Sequence, residues 1–89
     1  MNGHSEVQSV LFRKDKNNLD DCILWLHHHG FKFSKVDEKA HYWRFRQTPP
    51  KRYSHFTTKA IDNRRGIKFI IGWAIQRDFV LNDNSVVIV

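Results

Sequence analysis

The chain has 89 residues and a net charge of +6, with 15 Lys and Arg, 9 Asp and Glu, and 6 His. This length allows one domain with a small core, and a content of 40% hydrophobic and 13% aromatic residues excludes a disordered basic tail. No apolar run approaches the roughly 20 residues that cross a bilayer, so we expect no membrane partner. The single cysteine, Cys22, has no partner for a disulfide or a CxxC motif, which indicates a reducing, intracellular compartment.

The positive charge is concentrated in the middle of the chain. Between Lys32 and Lys68, eleven basic residues stand against three acidic ones, so this segment carries +8 and the remainder carries −2. Charge packed so densely repels itself, and the partner that most commonly offsets it is a polyanion. Nucleic acid is therefore the first hypothesis for a partner.

The N-terminal part of the chain predicts a strand followed by a helix. Residues 1–6 are expected to be flexible, and residues 7–89 are expected to form one domain. Val7 to Phe12 is rich in apolar and β-branched residues, which favours a strand. A helix is predicted after the cap Asn18, because four apolar residues then repeat at helical spacing and Gly30 follows the end. These four residues are Leu19, Cys22, Ile23 and Leu26.

The next segments are a connection and a strand. Phe31 to Asp37 fits either a short strand or an extended connection, and both interpretations stay open. His41 to Gln47 is a clearer strand, because side chains alternate across a strand and the prolines that follow cannot donate to a sheet ladder. One face of this strand carries Trp43 and Phe45, and the other carries Tyr42, Arg44 and Arg46.

Two further strands are predicted after the prolines. Tyr53 to Ile61 would place Ser54, Phe56, Thr58 and Ala60 on one face, and Tyr53, His55, Thr57 and Lys59 on the other. Ile67 to Ile75 is apolar at almost every position, which indicates a central strand or one at an interface. The tail Val86 to Val89 is β-branched and apolar, and we expect it to add a strand that pairs within the chain or with a second copy. A homodimer is predicted on that basis.

These elements predict an α+β fold of order β-α-β-β-β, with one amphipathic helix on an antiparallel sheet. An antiparallel meander of the last three strands would bury one apolar face under the helix. That face comprises Trp43, Phe45, Phe56, Phe69, Ile71 and Trp73. The opposite face would collect Tyr42, Arg44, Arg46, His55, Thr57, Lys59 and Lys68, with Lys51, Arg52, Arg64 and Arg65 at its rim, and Lys32, Lys35 and Lys39 unassigned.

A basic sheet face with aromatic neighbours is suited to a phosphate backbone, because arginine can bond two phosphate oxygens and tyrosine can stack on bases. The predicted nucleic-acid contacts are Tyr42, Arg44, Arg46, Lys51, Arg52, Tyr53, His55, Lys59, Arg64 and Arg65. Binding without strong sequence preference is expected, with duplex DNA first and single strands or RNA left open. Two alternatives remain: the cations serve solubility alone, or they meet an acidic protein partner.

Metal binding and catalysis find little support in the sequence. The run His27 to His29 places consecutive side chains about 100° apart on a helix, so they do not converge on a metal. Histidines in a last helical turn are favourable to the helix dipole without metal. No phosphate loop, nucleophile motif or clustered carboxylate set is present. We therefore expect no enzyme activity, no cofactor and no metal.

Four strings of the chain are similar to a known group of proteins. They are VQSVLF (Val7 to Phe12), WLHHHGFKFSKVD (Trp25 to Asp37), YWRFRQ (Tyr42 to Gln47) and GIKFIIG (Gly66 to Gly72). They resemble a family of small proteins from giant DNA viruses, virophages and tailed phages, in which these blocks recur in the same order. The resemblance implies a viral origin and a DNA-rich setting, such as the host cytoplasm, a viral factory or the virion. It implies no specific chemistry, because the family is recognised by sequence more than by an activity.

Overall fold

The computed structural model describes residues 4–50 and 53–74. They form one helix and a five-stranded antiparallel sheet, which confirms the predicted α+β class. The elements are β1 (His4–Arg13), α1 (Leu19–His28), β2 (Val36–Glu38), β3 (Tyr42–Arg46), β4 (His55–Asp62) and β5 (Ile67–Ala74). Their order across the sheet is β2-β3-β1-β5-β4. Within these residues, no helix is long and apolar enough to span a membrane.

The helix α1 lies where the sequence predicts it. The Asn18 side chain accepts a hydrogen bond from the backbone N–H of Asp21 at 2.8 Å, and the Asp21 carboxylate accepts one from the Asn18 backbone at 3.1 Å. This reciprocal pair satisfies two of the donors that a helix start leaves open. Gly30, at φ +77°, follows the C-cap His29. The buried side of the helix presents Cys22 and Leu26 to the sheet.

The core lies between α1 and one face of the sheet. Its fully buried apolar residues come from the helix and from three neighbouring strands: Val10, Phe12, Cys22, Leu26, Phe45 and Ile67. The rings of Phe12 and Phe45 meet edge to face, with 5.7 Å between centroids. Trp43 and Phe69 are partly buried and pack against this cluster. The predicted inward direction of Trp43, Phe45 and Phe69 is therefore confirmed.

The meander considered for the last three strands, whose order the sequence left open, does not form, because β1 lies in the middle of the sheet. Val10 pairs with Phe45 of β3 on one side and with Phe69 of β5 on the other, so β3 and β4 are not neighbours. The strand that carries Val10 and Phe12 buries the largest apolar area when it lies at the centre of the sheet, under the helix. It also begins earlier than predicted, at His4, so part of the segment expected to be flexible is paired with β5.

Two uncertain segments are resolved by the sheet. Residues Val36–Glu38 form the edge strand β2, so part of the segment left open between strand and connection is a strand. β5 is paired on both sides, with β1 and β4, which accounts for its apolar pattern without a second subunit. The tail Val86 to Val89 lies outside the described residues, and the homodimer stays a prediction.

The predicted faces of β4 are reversed. His55 pairs with Trp73 and Lys59 pairs with Phe69, and these two β5 residues lie on the helix side of the sheet. Phe56 therefore points to the opposite side, where its side chain is 43% exposed. Every β4 residue except Asp62 is exposed, because β4 is an edge strand that the short helix does not cover. Because so little of β4 is buried on either face, the hydrophobicity of its residues did not decide which face turns toward the helix.

The absence of a side chain at Gly72 leaves room for the Tyr53 ring on the side of β4 and β5 away from the helix. A Cβ atom at Gly72 would lie 2.5 Å from the Tyr53 ring, so the ring occupies the space that any other residue would fill. The Tyr53 hydroxyl donates to the Glu6 carboxylate at 2.9 Å. The Tyr53 ring also meets the Phe56 ring edge to face at 5.6 Å. The segment before β4 is thus held against the sheet by Tyr53.

We predict that Gly72→Ala lowers the free energy of unfolding by about 1–3 kcal/mol, because the added methyl group must displace the Tyr53 ring. Urea denaturation measures the loss. In a double-mutant cycle, Tyr53→Ala removes the ring that the new methyl group would displace, so the two changes together should cost less than their sum. Strictly additive losses would contradict the contact.

We predict that the thiol of Cys22 is unreactive in the native protein. Burial first, and the neighbouring Asp21 carboxylate second, raise the pKa of Cys22 to about 12, so the thiol stays protonated at neutral pH and the reactive thiolate is scarce. Iodoacetamide at about pH 8 should alkylate it slowly in buffer and rapidly in urea. Equal rates in both would show that the helix face is open to solvent.

Candidate functional site

Three turns meet at one end of the sheet. Because β1, β2 and β4 run toward this end and β3 and β5 run away from it, the turns at residues 14–18, 39–41 and 63–66 lie side by side. We call these three turns the basic end. The backbone N–H of Lys14 donates to the carbonyl of His41 at 3.0 Å, and the Asn17 amide donates to the carbonyl of Arg65 at 2.7 Å. The first turn is thus bonded to both others.

Two cations near the basic end are neutralised locally. Arg13 forms an ion pair with Asp15, and the Lys14 ammonium lies 2.7 Å from the Glu38 carboxylate. Lys14 also lies over the Trp43 ring, 4.9 Å from its centroid. These contacts use the cations to hold the turns on the sheet, so they leave little charge for a partner.

Four other cations of the basic end have no carboxylate within ion-pair distance among the described residues. They are Lys16, Lys39, Arg64 and Arg65, and all four are exposed. The Lys16 ammonium donates to the carbonyl of Arg64 at 3.2 Å, which draws two of them together. The basic end therefore carries positive charge that the described part of the chain does not pair with carboxylates.

A groove opens between the basic end and the helix. Its volume is about 470 Å³, and its lining includes Lys16, Arg65, His28 and His29. The His29 ring stacks on Trp25 with 3.8 Å between centroids. Its lining holds two cations, Lys16 and Arg65, against the one carboxylate of Asp21, which caps the helix, so the groove carries a net positive charge that favours an anionic group.

The sheet face opposite the helix, here called the open face, carries a second set of cations. On it the Lys68 ammonium lies 3.3 Å from the Tyr42 hydroxyl and 5.6 Å from the centroid of its ring. The Arg44 guanidinium donates to Ser9 at 3.0 Å and to Gln8 at 3.1 Å. Among the described residues Arg44 has no carboxylate within ion-pair distance, in contrast to Arg46.

Arg46 is paired with a carboxylate. Its guanidinium lies 3.0 Å from the Asp37 carboxylate of β2, and its Nε is buried without a hydrogen-bond partner among the described residues. Beside it, Lys32 and Lys35 line a cavity of about 460 Å³ at the end of the sheet away from the basic end. The sequence analysis assigned these two lysines to no surface. In the structure they lie at the opposite end of the sheet from the three turns of the basic end.

The structure brings together only part of the predicted site. Tyr42, Arg44 and Arg46 share the open face, and Tyr53 covers Gly72 on the same side. The prediction that His55 and Lys59 share this face is wrong, because the register of β4 places both on the helix side. The His55 ring lies parallel to Trp73 there, with 5.9 Å between centroids. Arg64 and Arg65 lie in the turn of the β4–β5 hairpin, and Lys51 and Arg52 lie outside the described residues.

Sequence reasoning missed Lys16 and Lys39. Lys16 lies outside the basic central segment, and Lys39 was not assigned to any surface. Both follow a strand that runs toward the same end of the sheet as β4. Strand direction in an antiparallel sheet was therefore the signal that could have grouped them with Arg64 and Arg65.

Comparison with known proteins returned no relatives: no protein-family model, no curated protein and no solved structure matches this chain. The resemblance to small viral proteins stays a prediction. Among the described residues, no group of His, Cys, Asp and Glu side chains is arranged to hold a metal ion. The site is thus an array of cations with aromatic neighbours.

Proposed function

We propose that this protein binds nucleic acid, duplex DNA first, through phosphate contacts without strong sequence preference. The observation that supports the proposal is the basic end, where four exposed cations without carboxylate partners among the described residues stand on three joined turns. A polyanion gains most from such an array, because each neutralised phosphate releases condensed counterions. Contacts of this kind set position and affinity and carry no direct sequence information.

The joined turns also lower the cost of binding. The first turn is bonded to the second through Lys14 and His41, and to the third through Asn17 and Arg65. A surface whose backbone is already ordered loses less conformational freedom when it meets its partner. Arg64 and Arg65 can each donate two parallel hydrogen bonds to phosphate oxygens, which the lysines cannot do.

A mobility shift with matched double variants tests the proposal. Lys16→Gln with Lys39→Gln removes two charges from the basic end, and Lys32→Gln with Lys35→Gln removes two charges of the same type from the other end. We expect the first pair to make the slope of log affinity against log salt shallower by about 1.8, because each phosphate contact contributes about 0.9 on duplex DNA. The second pair lies beside Arg46, whose charge Asp37 pairs, and should change the slope clearly less than the first pair.

Equal effects of the two pairs would show that net charge alone matters and would remove the basic end from the interface. Duplex DNA, single-stranded DNA and RNA of equal length should be compared at low salt. If none of them shifts, the protein does not bind nucleic acid and the proposal is wrong.

Removing the acidic partner of Arg46 should strengthen binding. We expect Asp37→Asn to raise the affinity for duplex DNA and to steepen the salt slope by up to about 0.9, because the freed guanidinium gains one phosphate. Asp20→Asn is the control, since Asp20 is exposed on α1, has no ion pair within the described residues and changes the net charge equally. The same increase in both variants would mean that Arg46 makes no contact.

A further inference from the structure

The open face contains a shallow depression beside its cations. Its volume is about 240 Å³, and its lining combines apolar side chains with two polar ones: Gln8, Leu11, Arg44, Pro50, Phe56 and Ile70. The register explains this grouping. Leu11 lies between Arg44 and Lys68 in one row across the sheet, while Ile70 and Phe56 follow in the next rows toward the other end.

Phe56 supplies an exposed aromatic ring with a fixed orientation. It is 43% exposed, on an edge strand that the helix does not cover on its other side. The Tyr53 ring meets it edge to face at 5.6 Å, with 69° between the ring planes. Tyr53 in turn is seated on Gly72. The Phe56 ring is thus held beside the depression by packed neighbours.

The depression also has hydrogen-bond donors in its wall. Arg44 donates to Ser9 through Nε and to Gln8 through one terminal nitrogen, and a guanidinium has five N–H donors. The remaining donors have no partner within the described residues. The buried amide of Gln8 donates to the Thr48 carbonyl at 2.7 Å, so the side of the depression next to Arg44 is rigid.

The depression adjoins the cations that would hold a phosphate backbone. Lys68 flanks Leu11 on the side opposite Arg44, and its ammonium lies against Tyr42. Tyr42 begins β3 directly after the turn that carries Lys39. Lys39 therefore leads, through Tyr42 and Lys68, onto the open face and to the depression.

We propose that this depression binds an unpaired base of single-stranded nucleic acid. Phe56 stacks on the base, Leu11 and Ile70 contact its apolar surface, and Arg44 donates to its edge. A flat ring with apolar support and nearby cations is the arrangement by which sheets bind single strands with little sequence preference. A base inside a duplex is paired and stacked, so it cannot offer its face to the ring. This inference rests on the proposed function and specifies the form of nucleic acid that the open face takes.

Fluorescence anisotropy with three labelled probes tests the inference: a single strand, the same strand with abasic positions, and the duplex. The wild-type protein should bind the intact strand more tightly than the abasic strand, which has the same phosphates. Phe56→Ala should weaken binding to the intact strand about 5-fold or more, because stacking on one aromatic residue has that effect. Binding to the abasic strand and to the duplex should be unchanged, and Phe56→Trp should retain affinity.

Phe33→Ala is the matched control, because Phe33 is 42% exposed and lies in the connection after α1, where its ring contacts His27 of the helix. Urea midpoints and sedimentation of each variant establish that fold and mass are unchanged. Equal losses on intact and abasic strands, or in the Phe56 and Phe33 variants, would overturn the base site. A change in oligomer mass with Phe56→Ala would also overturn it and would assign the depression to a protein contact.

The proposed function and this inference fail in different ways. If the wild-type protein binds intact and abasic strands equally, phosphate binding stands and the base site is wrong. If it binds none of the three probes at low salt, both are wrong.

Discussion

The structure depends on the pairing of β1 with two partners under one helix. Val10 and Phe12 are fully buried, with β3 on one edge of their strand and β5 on the other. Since the two edges satisfy the backbone hydrogen-bonding groups and the helix covers the side chains, both requirements of a buried strand are met at once. This pairing sets the direction of the neighbouring strands. The strand directions in turn set the positions of all three turns of the basic end.

The same arrangement decides which charges are available to a partner. Lys14 and Arg46 are paired with Glu38 and Asp37, the acids of β2, so the β2 edge of the sheet is close to neutral. The other cations of the turns, which are Lys16, Lys39, Arg64 and Arg65, have neutral partners or none within the described residues, and so do Arg44 and Lys68 on the open face. A count of charge along the sequence does not separate these groups, since an exposed cation and a paired one contribute equally to it.

Sequence signals between near neighbours in the chain predicted α1 and the two faces of β3. The helix was predictable from Asn18, Gly30 and the spacing of its apolar residues, because capping and helical periodicity involve near neighbours in the chain. The inward direction of Trp43 and Phe45 was predictable for the same reason, since polar and apolar residues alternate along β3. On β4 the alternation misled, because its apolar residue Phe56 belongs to an edge strand that the helix does not reach.

The sequence alone determined the α+β class, the helix and its cap, and a central excess of positive charge. Only the tertiary structure decided that β1 lies between β3 and β5, that β4 turns Phe56 to the open face, and that Lys16 and Lys39 join Arg64 and Arg65. The reason is physical. A strand's side-chain period of two separates its faces but does not say which one is buried, and that choice belongs to the register and to the area that the helix covers.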